Sequence, residues 1–494
     1  MLFSAADQSI ALQLLIDSYP VMVSSLCTFG IIDFILFFFV GKLQVANSID
    51  VFAGVSLAQM FGNVTCLSLL WGLASAVETL GSQANGAGRY REVGIILQRS
   101  VLLVGLSAVP LACVWLSAPA LFRHFGIASD VCDIVRVCLH VRLFELPGNV
   151  IICSFECFLT AIGTTTPLLY ANVTLNLVFA LFCYISVFVF EWSYVSIAWS
   201  HVVALYCCLL VEMVLAFGHV RVRDILLRKP LCWCEATCDL HACATFMGLG
   251  LYGAIMLCCE WWAYELLTMF AGFLGTPEVA AQSIIFATIN IVYSVPYGLG
   301  SMVTSGIGNH LGRGEVHEAG RLAYVAYYLV AAVESLLSLG VYCFCNQYLH
   351  LYTSDLTVLQ ITVDTIPLVA ALVVCDGLQT MGSSILKGAG KQDIGAAINF
   401  MSFYVIGVPL SWYTCFHNGW GVTGLVFGMT VANLLQVVLH ASMFWAWSDY
   451  IFVHNEDLLV EDDGCLSIEE GQLLMVGGKK VPYTSIDPVE GRNI

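Results

Sequence analysis

Charge is what this sequence has least of: only 11% of its 494 residues are Asp, Glu, Lys or Arg, against 59% that are hydrophobic. A soluble globule of this size needs far more polar surface, so that class is excluded and the chain belongs in a bilayer. Basic residues are scarcest, 18 against 35 acidic ones, and no nucleic-acid partner is expected. The glycine-rich turns are not followed by Gly-Lys-Ser/Thr, which excludes the common phosphate-binding loop. No nucleophile arrangement or metal-ligand spacing stands out either, so neither an enzyme nor a resident cofactor or metal is expected. Cysteine is plentiful at 21 residues, but Cys66, Cys113, Cys157, Cys207, Cys258 and Cys375 lie within apolar runs, where they act as small packing residues. The densest group, Cys232, Cys234, Cys238 and Cys243 with His241, departs from zinc spacing and reads as an interfacial or palmitoylated segment.

What the chain has instead is apolar runs long enough to cross a hydrocarbon core as helices. There are about twelve, near 18–40, 51–74, 95–118, 134–158, 168–190, 194–217, 244–271, 279–303, 321–345, 358–386, 394–416 and 421–447. The first lacks a basic leader and a small-residue cleavage site, so it reads as a retained helix with no soluble domain ahead of it. Basic residues gather after the even-numbered runs: Arg89, Arg91 and Arg99; Arg221, Arg223, Arg228 and Lys229; Arg313 and Arg321; Lys387 and Lys391. The positive-inside tendency then places both termini in the cytoplasm.

The segment Gly72–Gly94 aligns without a gap on Gly298–Gly320, pairing Gly72, Leu73, Ser75, Val77, Gly86, Gly88, Glu92 and Gly94 with Gly298, Leu299, Ser301, Val303, Gly312, Gly314, Glu318 and Gly320. Leu159 and Gly163 recur as Leu386 and Gly390 at nearly the same offset. Six runs separate the copies, an even number, so the halves share one orientation. The expected fold is an all-α polytopic membrane protein of about twelve transmembrane helices in two pseudo-symmetric six-helix bundles. Its divisions fall at 1–217 and 244–447 for the bundles, 218–243 for a cytoplasmic linker, and 448–494 for an acidic, disordered cytoplasmic tail. Two such bundles leave a cleft between them, and rocking one against the other gives alternating access.

These repeated segments resemble the multidrug and toxic compound extrusion (MATE) antiporters, in their eukaryotic branch. Glu78, Thr79, Leu80, Gln83, Gly86 and Gly88 stand where that family ends its second helix and turns. Glu260–Glu265 (EWWAYE), Ala281, Gln282, Ser283, Val292, Tyr293 and Pro296 resemble its span-seven and span-eight signature, and Leu386–Gln392 (LKGAGKQ), Tyr404, Gly407 and Pro409 match further on. The resemblance implies a secondary antiporter that exports organic cations or xenobiotics in exchange for protons, with sodium as the other coupling ion. It also implies a place for Asp376 in the substrate cavity, where the family has a glutamate. A further family glutamate in span eight falls near Ala287 and is missing here.

Acids within spans are functional candidates by default, because charge in a membrane is costly. Glu260 and Glu265 lie five residues apart, about 140° around a helix, so they do not share one narrow face. Glu260 is one turn from Tyr264, whose hydroxyl can hold or deliver a proton, and Glu265 is one turn from Trp261. A carboxylate beside an indole face suits a lipophilic cation. In a partly dehydrated cleft, protonation and cation binding exclude one another, which is the exchange mechanism. Asn63 is a hydrogen-bonding candidate or interhelical glue. Asp33 is a possible second coupling site, although prokaryotic members of the family place their span-one aspartate nearer the Val-Gly pair, here Val40-Gly41. Glu145 with Arg142 one turn away reads as a structural ion pair, and Glu78 as paired to a basic turn. Other readings stay open: export of organic anions or conjugated metabolites through Arg136 and Arg142, or a non-transporting membrane receptor or scaffold.

The tail carries Glu469–Leu474 (EEGQLL) and Tyr483–Ile486 (YTSI), which fit acidic dileucine and tyrosine sorting patterns. Sorting adaptors and membrane lipids are therefore expected partners of a monomer that resides in the plasma membrane or in vacuolar or endosomal membranes.

Overall fold

The computed structural model describes residues 4–43, 48–227, 233–353, 355–446, 473–476 and 479–482. Twelve helices among them are long and apolar enough to cross a membrane: Ala5–Gly41, Asp50–Gly86, Tyr90–His124, Ser129–Ala161, Thr166–Val189, Tyr194–Gly218, Leu240–Gly272, Thr276–Gly312, Val316–Cys343, Leu356–Gly388, Gln392–His417 and Gly421–Phe444, called spans 1 to 12 below. All twelve apolar runs fall within these helices or at their edges. Several helices are longer than their runs, and span 1 starts thirteen residues before its run. Ser4 caps that polar first stretch and forms a reciprocal capping box with Asp7, a local interaction that hydropathy does not register.

Large apolar side chains point outward from the bundle, among them Leu106 (68% exposed), Leu177 (66%), Leu210 (64%) and Leu336 (70%). On a water-soluble protein such a surface would be a liability, whereas in lipid it is the solvated face. Inside, two stretches of the second half form dense apolar cores, one around Leu267, Ile285, Val369 and Phe403, the other around Leu299, Val303, Ala326 and Met381.

The sequence repeat has a backbone counterpart. Gly88 and Gly314 both take a left-handed conformation, φ 74° and 77°, and Gly163 and Gly390 match at 70° and 71°. Each pair closes a helix with a turn that other residues adopt only under strain. The halves meet along spans 2 and 8. A methyl group on Gly86 would run into the carbonyl of Asn309, and one on Gly312 into the carbonyl of Gln83, so glycine is what permits this approach at the end bearing the basic turns.

Between spans 6 and 7 lie two short helices, Val220–Leu227 and Trp233–Cys238. Among the described residues no group of three or more His, Cys, Asp or Glu is placed to hold a metal; Cys232 lies outside the described residues. So do Arg228, Lys229, the acidic stretch 456–470 and the Tyr483–Ile486 motif. Within the tail, Leu473–Val476 pairs antiparallel with Lys479–Pro482, Leu473 opposite Pro482 and Val476 opposite Lys479. That short ribbon departs from the expected absence of structure there. An apolar LLMV run followed by Gly-Gly is a hairpin signal that the acidic composition of the whole tail obscures.

Candidate functional site

A cleft lies between the two halves, and every site residue expected from the sequence lines it: Asp33 and Asn63 from the first half, Glu260, Trp261, Tyr264, Glu265, Tyr293 and Asp376 from the second. The residues come from five helices, spans 1, 2, 7, 8 and 10. Span 7 alone presents four of them. Glu260 with Tyr264 forms one edge of its exposed arc and Trp261 with Glu265 the other, so a wall about 140° wide accommodates two acids that a single narrow face could not.

On the second-half wall, Glu260 and Asp376 are drawn together by one amide. Gln379 Nε2 donates to Glu260 Oε1 at 3.1 Å and to Asp376 Oδ1 at 3.4 Å. Asn433 Nδ2 also donates to Asp376 Oδ1, at 3.0 Å, and the Tyr264 hydroxyl does so at 3.4 Å. Tyr264 therefore serves Asp376 on span 10 and not its helical neighbour Glu260. The phenol carries its hydroxyl beyond the surface of its own helix to the helix packed against it. Glu260 and Asp376 are buried, 9% and 4% exposed, and each is held by neutral donors.

The first-half wall is organised differently. Arg142 Nε donates to Glu145 at 3.2 Å, its Nη1 donates to the carbonyls of both Ala58 and Gln59 at 3.3 Å, and its Nη2 donates to Asn63 Oδ1 at 3.5 Å. His201 Nδ1 stands 2.7 Å from Glu145 on the other side. Asp33 accepts from Gln59 Nε2 at 2.9 Å. Glu156 accepts from Asn172 at 2.8 Å, which also donates to Ser24. The Arg142–Glu145 pair is thus present and buried, and Asn63 both joins helices and faces the cleft. Arg136 instead lies half-exposed, 3.3 Å from Asp133.

Two walls of the cleft contain π-helical turns, Cys27–Ile31 in span 1 and Asn63–Leu67 in span 2. Such turns insert an extra residue and re-aim side chains, which is why they occur at functional sites. Here they bring Thr28 and Phe29, and Asn63, Val64 and Leu67, to the cleft. Phe29 meets Trp261 edge-on at 5.8 Å and lies 6.2 Å from Tyr293 and 5.3 Å from Tyr297, an aromatic cluster that crosses from one half to the other.

Towards the basic end the halves are latched. Lys387 Nζ lies 3.4 Å from Glu78 Oε2, the Thr79 hydroxyl donates to the Lys387 carbonyl at 2.8 Å, and Gln392 donates to Thr79 at 2.8 Å. Glu78 accordingly pairs with a lysine from the opposite half, not with the turn that follows its own helix.

The MatE family model matches residues 20–185 and again 254–413, one copy on each half. The chain belongs to the MatE family. Among MatE relatives, multidrug and toxin extrusion protein 1 of Homo sapiens is 29% identical over 430 residues, covering 86% of this chain and 73% of that protein. Protein DETOXIFICATION 16 of Arabidopsis thaliana is also 29% identical, covering 85% of each. In fold, the chain resembles the crystal structure of the eukaryotic MATE transporter AtDTX14, with a TM-score of 0.82 at 23% identity, over 92% of this chain and 99% of that one. The protein is therefore a multi-pass membrane transporter of MATE fold and not an enzyme.

Several cleft residues escaped the sequence reading. His201, Asn172 and Asn290, and behind the wall Gln379 and Asn433, are polar residues in apolar helices, a signal shared with many interhelical contacts. Glu156 also lines the cleft. Asn290 stands three residues beyond Ala287, so span 8 keeps a polar side chain facing the cleft near the place of the missing glutamate.

Proposed function

We propose that this transporter exports organic cations in exchange for protons by alternating access, with Glu260 and Asp376 as the exchanging carboxyl groups. The observation that carries this reading is the charge of the cleft. Five carboxyl groups line it, Asp33, Glu156, Glu260, Glu265 and Asp376, against the single guanidinium of Arg142, which Glu145 and backbone carbonyls already engage. An organic anion would meet net repulsion there. A cation finds carboxylates on one side and the Phe29–Trp261–Tyr293 aromatic wall on the other, the pairing that suits a lipophilic ammonium or phosphonium group.

The exchange follows from the shared donors. Gln379, Asn433 and Tyr264 offer hydrogen bonds to Glu260 and Asp376 but no positive charge. In a water-poor cleft two adjacent carboxylates without a counter-charge are unfavourable, so they hold a proton, or a cation, between them. Arrival of one favours departure of the other. Opening at the basic end requires release of the Glu78–Lys387 latch and parting of Gly86 from Asn309. The distribution of basic residues puts that end, and both termini, in the cytoplasm, so the latched state faces outward or is occluded. The coupling ion is H+, and the working unit is a monomer in contact with lipid. Sorting adaptors that read the tail would set the plasma, vacuolar or endosomal membrane as its residence.

The test is uptake of tetraphenylphosphonium into proteoliposomes under an imposed pH gradient, an imposed sodium gradient, or neither. Accumulation driven by the pH gradient and indifferent to sodium is expected. Drive by sodium alone, transport of a sulfonated anion in place of the cation, or no transport of either would each overturn the reading.

A further inference from the structure

Behind the second-half wall, spans 9, 10 and 12 enclose a strip of polar side chains that the cleft does not include. Glu334 is fully buried, and neither of its carboxyl oxygens has a hydrogen-bond partner in the protein. The same holds for both amide atoms of the fully buried Gln436, for both ring nitrogens of His440 (3% exposed), and for the Tyr327 hydroxyl. Asn433 Oδ1 and Gln379 Oε1 bring the orphaned atoms to nine.

Their positions form a line. Asn433, Gln436 and His440 are spaced i, i+3, i+7 and occupy one face of span 12; Tyr327 and Glu334, two turns apart, occupy one face of span 9. Two glycines of span 10 make room for them. A methyl group on Gly377 would strike the Glu334 side chain, and one on Gly382 would strike both the His440 ring and the Tyr327 hydroxyl. The strip begins at Asp376, joined to it by Asn433 at 3.0 Å, and from Gly377 to Gly382 it advances about 7.5 Å towards the basic end.

A buried polar atom without a partner loses its hydration with nothing in return, and native structures tolerate few such cases. Nine in one strip are accommodated when ordered water threads them, as in other polar interiors roomy enough to hold it. We propose that this strip is a hydrated internal proton site, in which Glu334 and His440 accept the proton that Asp376 gives up when a cation binds. The Asp376 carboxyl passes its proton through water to Glu334, a neutral acid that takes it on its carbonyl oxygen and hands its own proton on to the neutral His440 imidazole. Asp376 is left a carboxylate facing the cation, and His440 is left protonated.

The titratable groups that face the strip are Glu334 and Tyr327 from span 9, Asp376 from span 10 and His440 from span 12. Glu260 and Tyr264 of span 7 reach it through Gln379 and Asp376, Tyr293 of span 8 lies beside Glu260, and Tyr404 of span 11 is a further hydroxyl without a partner. Lys387, at the end of span 10, is turned to Glu78. The inference rests on the proton-exchange reading above, and its tests separate the two.

X-ray hydroxyl-radical footprinting of the wild-type protein in proteoliposomes should label His440 despite its burial; absence of label there would overturn the hydrated strip. In weakly buffered solution, tetraphenylphosphonium binding should release fewer protons from wild type than from Glu334→Gln or His440→Gln, because the proton leaving Asp376 no longer finds its internal acceptor. Affinity for the probe should change by less than about twofold, since neither residue lines the cleft. Uptake driven by a pH gradient should fall about tenfold in Glu334→Gln, an isosteric change that keeps the fold. Unaltered proton release and uptake in both variants would overturn the proposal. If wild type is labelled yet neither releases protons nor responds to a pH gradient, the proton-exchange reading itself fails, and this inference with it.

Discussion

The two halves repeat one backbone plan but use their buried acids differently. The first half pairs one buried acid with a cation: Arg142 ties Glu145, Asn63 and two backbone carbonyls together and His201 flanks the pair, while the cleft acids Asp33 and Glu156 accept from the amides of Gln59 and Asn172. Among the described residues the second half brings no Lys or Arg to the cleft, and Glu260 and Asp376 are held by amides and a phenol. An acid with a fixed counter-charge stays charged and acts as a brace. An acid with only neutral donors is free to trade a proton for a cation. Duplication supplied two equivalent scaffolds, and the first braces Glu145 with Arg142 where the second holds Glu260 and Asp376 by neutral donors.

This contrast breaks most directly at Arg142. Replacing it with Met leaves the buried Glu145 with His201 alone and should destabilise the protein by about 3–5 kcal/mol, read from its denaturation midpoint in detergent. A wild-type midpoint would remove the brace from the first half. Next in size, Glu260→Gln and Asp376→Asn should cut proton-driven cation uptake about a hundredfold while leaving that midpoint in place. If these two variants unfold early, or transport normally, the assignment of exchange to the second half is wrong. Trp261→Ala should weaken probe affinity by roughly 3- to 30-fold, the range for loss of a cation–π contact in a desolvated site; an unchanged Kd would shift cation recognition elsewhere in the aromatic cluster.

The smallest effect lies at the matched turns. Arg89 and Glu315 occupy equivalent places in the repeat, with opposite charge: Arg89 pairs with Glu92 at 2.8 Å, and Glu315 accepts from the His310 ring at 2.7 Å. That hydrogen bond is the main cause of a Glu315 carboxyl held below its ordinary range, with Arg313 adding to it. The stabilisation is present above the pH at which an unfolded Glu titrates and is lost as pH falls through the lowered folded value. Because the pair is largely exposed and screened, Glu315→Gln should leave the denaturation midpoint at neutral pH within experimental scatter, and a large drop would mark this turn as a structural latch.

Much of the architecture was legible in the chain because it follows from local rules. A run of twenty apolar residues has one structured way to cross lipid, and the Gly86–Gly88 and Gly312–Gly314 turns announce themselves by composition. Helix ends were less legible: the polar start of span 1 and the ends of spans 2 and 8 have no hydropathy signal. The eight cleft residues were named from acids, aromatics and family position, yet their partners were not. Helical spacing pairs Tyr264 with Glu260, whereas its hydroxyl meets Asp376 of span 10, and Glu78 meets its lysine across the molecule. The setting of Glu334 is made by span 10, whose Gly377 lies against it.

The sequence by itself determined the number of spans, the duplication, and the rarity of charge that makes each buried acid meaningful, because these depend on hydrophobic length and spacing along one chain. Only the tertiary structure decided which acids share donors and which polar atoms are left facing one another. Those depend on distances of about 3 Å between residues more than a hundred positions apart, such as Glu260 with Gln379 and Tyr264 with Asp376. Hydrogen bonds and charges in a membrane act over such distances, and periodicity along a helix fixes only the face from which a side chain departs, not the neighbour it meets.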